Sequence, residues 1–429
     1  MFPQAHIRPL PLLVLILPLS AQAQSPSYPV TGTTSLIPWS ELRDSPTVSF
    51  NFDDTPHARI QFSYSDPAIP GSPWTQSSPN WYSFSVDTGT CGIVAHKKKV
   101  NLQESEKHDP DPADPTTLTN QGQQYLSSSK ILYAGYWVPR QVAFVHSTPM
   151  IRTFQPVLAV TRKFTNCVHW EESMGNGCPG ATEITPDTVF ENVSILGTGY
   201  GRTHDGQPQG TPDKNPLLNI VSIGGTAIGS LATFHPGWRI DANGVQVGLT
   251  QDIWNPPGRS WSTINLWLGT PSGITRPSPP ESANRNPHTP WSELRGGVTF
   301  PGALPGWGEV PVSLLLDTGI DWSSIRVEKD LAEAARNNGV EQLLKVDQIA
   351  EVGNGTIFQR YKYTNTGPVP PACYWTPEYT KVTYDNIYYR PNFVNTGRRA
   401  FKVWGFAFDP WNGRVGFQRR DDTCAATIP

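Results

Sequence analysis

Ser85-Val86-Asp87-Thr88-Gly89-Thr90 and, far downstream, Leu315-Leu316-Asp317-Thr318-Gly319-Ile320 are the stretches on which the reading of this chain turns. Each sets one carboxylate in a tight turn after an apolar run, Phe84 and Val86 in the first, Leu314 to Leu316 in the second. Such a turn needs a glycine and brings the aspartate near backbone donors. A lone Asp-Thr-Gly carries no information. Two copies, each at the end of a strand-like run, predict a duplicated half with one carboxylate in each.

A second repeat supports duplication. Pro38-Trp39-Ser40-Glu41-Leu42-Arg43 recurs unchanged as Pro290-Trp291-Ser292-Glu293-Leu294-Arg295, each copy upstream of an Asp-Thr-Gly. The interval from arginine to aspartate is twice as long in the first half, and the Pro- and Ser-rich stretch from Asp66 to Asn80 accounts for much of the difference. An inserted surface loop of this kind has a small thermodynamic cost.

With these turns and repeats the chain resembles the pepsin-like aspartic proteases, in which two lobes each contribute an Asp-Thr-Gly turn to one cleft. Tyr125 to Tyr136 is similar to that family's flap hairpin at Tyr125, Ser129 and Gly135-Tyr136. Ile195-Leu196-Gly197 resembles the element that crosses behind the first turn, with Gly397 where its partner belongs. Phe408 to Phe417 is similar to the family's closing hairpin. The resemblance implies a mostly β, bilobal fold with lobes related by a pseudo-twofold axis and a cleft between them. It further implies Asp87 and Asp317 as catalytic, Thr88, Gly89, Thr318 and Gly319 as their support, and Tyr125 on a flap over the cleft. The substrate would be a peptide or protein cut at internal bonds, at acid pH, by a water activated between the aspartates, with no metal and no cofactor.

The chain also departs from the family. Ile320 stands where a Ser or Thr normally donates to the aspartate, so Asp317 is expected to lack one hydrogen bond. Leu126 and Ser128 replace flap glycines, and Val394-Asn395-Thr396-Gly397 replaces an apolar pair before the glycine. The alternative reading is a non-catalytic relative whose degenerate cleft binds a peptide or protein. Against other hydrolases, no His-Glu-x-x-His, paired Cys-x-x-Cys or Gly-x-Ser-x-Gly occurs. A glycosidase could also use two carboxylates, but nothing beyond the carboxylates supports one.

Residues 1 to 23 read as a secretory signal, with Arg8, an apolar core from Leu10 to Leu19 and Ala21-Gln22-Ala23 as the cleavage site. The core is too short to span a bilayer, so a secreted, extracellular protein without a membrane anchor is expected. No basic propeptide is visible before the first turn, as no lysine precedes Lys97. The expected divisions are residues 24–270 for the first lobe, the Pro-rich linker 271–289, and 290–429 for the second lobe. With 43 Pro and 37 Gly among 429 residues and only 16% charged, short strands and turns are favoured over long helices. One helix is predicted over Leu331 to Val346. A net charge of −3 gives no nucleic-acid footprint, and a monomer is expected.

Five cysteines in a secreted chain imply two disulfides and one remaining thiol. Pairing is not readable from sequence; Cys167 with Cys178 and Cys373 with Cys424 are the candidates, which would leave Cys91 as an inert packed thiol. Asn192-Val193-Ser194 and Asn354-Gly355-Thr356 are candidate glycosylation sequons at Asn192 and Asn354.

Overall fold

The computed structural model describes residues 28–41, 50–63, 80–110, 119–185, 187–200, 209–254, 261–266, 268–270, 273–275, 288, 291, 294–299, 310–321, 323–327, 349–354, 356–362, 380–384, 392–402 and 404–419. The signal segment, the helix predicted over 331–346, most of the linker, Cys373 and Cys424 lie outside these residues. The chain is mostly β. Among the described residues the helical pieces are single turns such as Gln251–Trp254.

The strands follow from alternation. In His57–Ser63, Ala58, Ile60 and Phe62 are buried and the residues between them are half-exposed, the period of two expected of a sheet with one face on a core. Cys91–His96 is buried throughout. It runs parallel to Ile151–Thr165 on one side and antiparallel to Ser194–Thr198 on the other.

Three large sheets result. A ten-stranded sheet holds the first turn, and a seven-stranded sheet holds the second. In the first, Ile131–Phe144 and Ile151–Thr165 pair along most of their length and close part of the sheet into a ring, which leaves fewer open strand edges. A six-stranded sheet, in the order Ser35–Pro38, Gly244–Val247, Trp238–Asp241, Trp404–Asp409, Arg414–Arg419 and Trp261–Asn265, draws strands from both sides of the linker. The two halves are therefore joined by hydrogen-bonded backbone. One core cluster runs through all three sheets, from Phe84 and Val86 through Trp238 and Ile240 to Leu314, Phe406 and Phe417.

The duplication is visible in the registers. Tyr82–Asp87 runs parallel to Ser194–Thr198, with Asp87 opposite Gly197, and the latter strand is antiparallel to Cys91–His96. In the second half Val310–Leu315 runs parallel to Phe393–Asn395, with Leu315 opposite Asn395, and the latter is antiparallel to Ser323–Val327. The repeated hexapeptide has a matching role in each half. Trp39 Nε1 donates to the Asp241 carbonyl at 2.9 Å, and Trp291 Nε1 to the Pro410 carbonyl at 2.6 Å. Each tryptophan thus pins the turn of one hairpin of the shared sheet. Gly413, at φ 60°, is pressed against the Trp291 ring, where a Cβ would collide.

Candidate active site

Asp87 ends the strand Tyr82–Asp87, Asp317 lies two residues past the end of Val310–Leu315, and both are almost fully buried, at 8% and 5% exposure. The threonines after them fasten the turns together. Thr88 N donates to Thr318 Oγ1 and Thr318 N to Thr88 Oγ1, both at 3.0 Å. Thr88 Oγ1 in turn donates to the Leu316 carbonyl at 2.5 Å, and Thr318 Oγ1 to the Val86 carbonyl at 2.6 Å. These reciprocal bonds leave no hydroxyl proton or turn amide of the pair unused in a buried place, where an unmet donor costs free energy.

Each carboxylate lies against the glycine of the opposite turn. A Cβ built on Gly89 would fall within 2.6 Å of both oxygens of Asp317, and one on Gly319 within 2.7 Å of both oxygens of Asp87. Only glycine permits that approach. Gly89 N donates to Asp87 Oδ1 at 2.6 Å and Gly319 N to Asp317 Oδ1 at 2.7 Å. The fold thus brings the two turns together, with the carboxyl group of each against the glycine of the other.

Ile320 does not leave Asp317 short of a donor, which corrects the expectation from sequence. Asn395, 2% exposed, donates from Nδ2 to Asp317 Oδ2 at 2.6 Å. The asparagine belongs to the strand crossing behind the turn, so its contact depends on register between segments far apart in sequence.

Gln121–Leu126 and Ile131–Phe144 pair as an antiparallel hairpin over the residues expected of the flap. Its tyrosine is placed differently, a second correction. Tyr125 is buried in a satellite cluster with Leu132, Phe164, Trp170 and the half-cystines Cys167 and Cys178, and its hydroxyl donates to the Cys167 and Val168 carbonyls at 2.9 and 3.0 Å. The residue that sequence reasoning missed is Tyr133. Tyr125 is paired with Leu132 and Gln124 with Tyr133, so Tyr133 projects from the opposite face of the hairpin. There it packs with Val94 and Ile195, on the face that alternation also assigns to Asp87. Burial, and after it the charge of Asp87, push its phenol up to about 12. Its hydroxyl makes no hydrogen bond among the described residues. Counting strand period outward from Tyr125 would have exposed this second tyrosine.

Cys167 and Cys178 form a disulfide, as one of the candidate pairings anticipates, and Cys91 is a buried free thiol. Asn192 is exposed, one turn ahead of Ser194–Thr198, while Asn354 ends the strand Ile349–Asn354. Among the described residues no cluster of His, Cys, Asp and Glu could hold a metal ion.

No family model matches the chain, and no curated protein matches it. Among solved structures, the chain is similar to the crystal structure of aspartic proteinase from Irpex lacteus, at a TM-score of 0.45 and 12% identity over 92% of this chain and 100% of that one.

Proposed function

We propose that this protein is a secreted aspartic-type endopeptidase that hydrolyses internal peptide bonds at acid pH. The observation that carries the reading is the pair of buried carboxyl groups, each pressed on the glycine of the other's turn and held by reciprocal threonine bonds. Two carboxylates this close cannot both ionise readily, so they share one proton and offer an acid and a base together.

A water between them gives a proton to the ionised carboxylate as its oxygen attacks the peptide carbonyl carbon. The protonated partner donates its proton to the carbonyl oxygen, so a neutral gem-diol forms. The C–N bond then breaks as a carboxyl proton passes to the leaving nitrogen and a diol hydroxyl returns its proton to the pair. The products are a carboxylic acid and an amine, and the dyad is again singly protonated. In this reading the hairpin bearing Tyr133 keeps bulk water from the peptide.

The test is incubation of purified wild type and Asp87→Asn with a mixed peptide library from about pH 3 to 7. General acid and base chemistry predicts cleavage by wild type that peaks at the acid end and falls by about a thousandfold in the variant. Equal product from both rejects the aspartic mechanism. Absence of product from wild type favours the reading in which the cleft binds a peptide without cutting it.

A further inference from the structure

The duplication allows the two halves to be superposed residue by residue. Asp87 stands opposite Gly197 and Ser85 opposite Ile195, while Leu315 stands opposite Asn395. Asn395 is thus the second-half counterpart of Ile195, and one half has an amide where the other has an aliphatic side chain. A buried polar residue at such a position needs partners for both ends of its amide. Asn395 Oδ1 accepts from Gly397 N at 3.0 Å, and Nδ2 donates to Asp317 Oδ2 at 2.6 Å. The first bond settles the orientation of the second. A backbone N–H can only donate, so the amide end facing it is the oxygen and the end facing Asp317 is the donor.

We propose that Asn395 is a positioning residue of the dyad, whose amide holds the outer oxygen of Asp317 as an acceptor. The inference rests on the peptidase reading above and adds to it a residue outside the two turns on which Asp317 depends. Gly319 N already binds Asp317 Oδ1, so both oxygens of Asp317 receive nitrogen donors. The asparagine supplies from behind the turn the donor that Ile320 cannot supply from within it. Among the described residues, the other ionisable groups near the two turns include Asp87, Tyr133 and Arg398. The Arg398 guanidinium is turned to the Asp53 carbonyl and the Thr55 hydroxyl and lies 3.8 Å from Asp321.

Two variants of the full chain test this. Asn395→Leu keeps the branching at Cγ and removes the donor. Its kcat should fall by about tenfold to a hundredfold with KM within about twofold, and the acid limb of the pH profile should move to higher pH, because a charge-assisted bond to Asp317 is lost. Asn395→Asp is isosteric. A protonated carboxyl can donate where the amide does, so this variant should keep more activity than Asn395→Leu at about pH 3 and lose it as the new carboxyl ionises, toward pH 6. A merely structural asparagine would give both variants the wild-type profile, and that outcome overturns the proposal.

A readout independent of turnover separates its failure from that of the peptidase reading. With aspartate 13Cγ labelling, a titrating signal assigned by its loss in Asp317→Asn should move in Asn395→Leu whether or not the protein cleaves peptides. An unmoved signal also overturns the inference. A moved signal in a protein without peptidase activity keeps it and discards only the enzyme.

Discussion

Gly89 and Gly319 hold the dyad at its working separation by lacking a side chain. A methyl group on Gly319 would sit 2.6 Å from the Asp87 carboxyl carbon, so Gly319→Ala must drive the two carboxyl groups apart. Neither glycine has a left-handed φ, and the turn itself can accept alanine. Gly319→Ala is therefore expected to fold and to lose about a hundredfold in kcat, the effect of roughly an ångström of misplacement at a reacting centre. Steady-state kinetics beside a thermal melt checks this; a large fall in melting temperature with retained kcat would contradict it. Thr88 and Thr318 act differently. Their hydroxyls and amides are all engaged across the pair of turns, so truncating either removes bonds from both halves.

In the hairpin of Gln121–Leu126 and Ile131–Phe144, strand period assigns separate tasks to two tyrosines. Tyr125 bonds the loop closed by the Cys167–Cys178 disulfide, and Tyr133 lies on the opposite face, close enough for the charge of Asp87 to act on its phenol. Tyr125→Phe should cost about 1 to 2 kcal/mol of stability, since it removes a buried donor shared by the Cys167 and Val168 carbonyls. Its kcat should stay near wild type. Urea unfolding and peptide cleavage measured on the same preparation distinguish this from a tyrosine over the cleft, for which activity would fall and stability would not. The loop beyond residue 166 is thus a buttress on the outer face of the hairpin. The paired tryptophans of the hexapeptide repeat work in the same way on the shared sheet, each fixing a hairpin turn through one indole N–H.

The two ends of the described chain meet at Asp409, which is fully buried in the closing hairpin. Its carboxylate accepts from the Tyr28 hydroxyl at 2.5 Å, from the Asn412 amide at 2.6 Å and from the backbone of Trp411 and Asn412 at 3.0 Å, with His235 Nε2 at 3.4 Å. Burial alone would raise its pKa, but His235, Tyr28 and Asn412 outweigh burial and hold it below the ordinary value of 3.8. A depressed carboxylate contributes stability that is fully present above its unfolded value and lost as pH falls through the lower folded value. The join between chain ends therefore keeps this contribution until pH falls below the ordinary carboxylate value of 3.8. Asp409→Asn is predicted to lower stability by about 1 to 3 kcal/mol near pH 6, with the gap to wild type closing below about pH 3.8 as the wild-type carboxyl protonates. Melting curves of both proteins across that range test it; a constant gap would mean that the charge is not what stabilises the join.

The dyad was legible in the chain because each carboxylate, threonine and glycine is contiguous with the others, and a contiguous turn keeps its local geometry wherever it is placed. The strands were legible through period two, and the duplication through an unbroken repeat. Asn395 read only as a departure from pattern, because its partner is 78 residues away and the register that joins them belongs to the folded sheet. Tyr125 read as the cleft tyrosine because motif spacing does not say which face of a hairpin looks inward. That choice is made by what packs on each side, here a disulfide-closed loop against one face and the sheet carrying Asp87 against the other. The sequence alone determined which groups could do the chemistry and that there would be two of them; their orientation, donors and closure were decided by long-range burial and pairing, since these energies arise only when distant segments share one core.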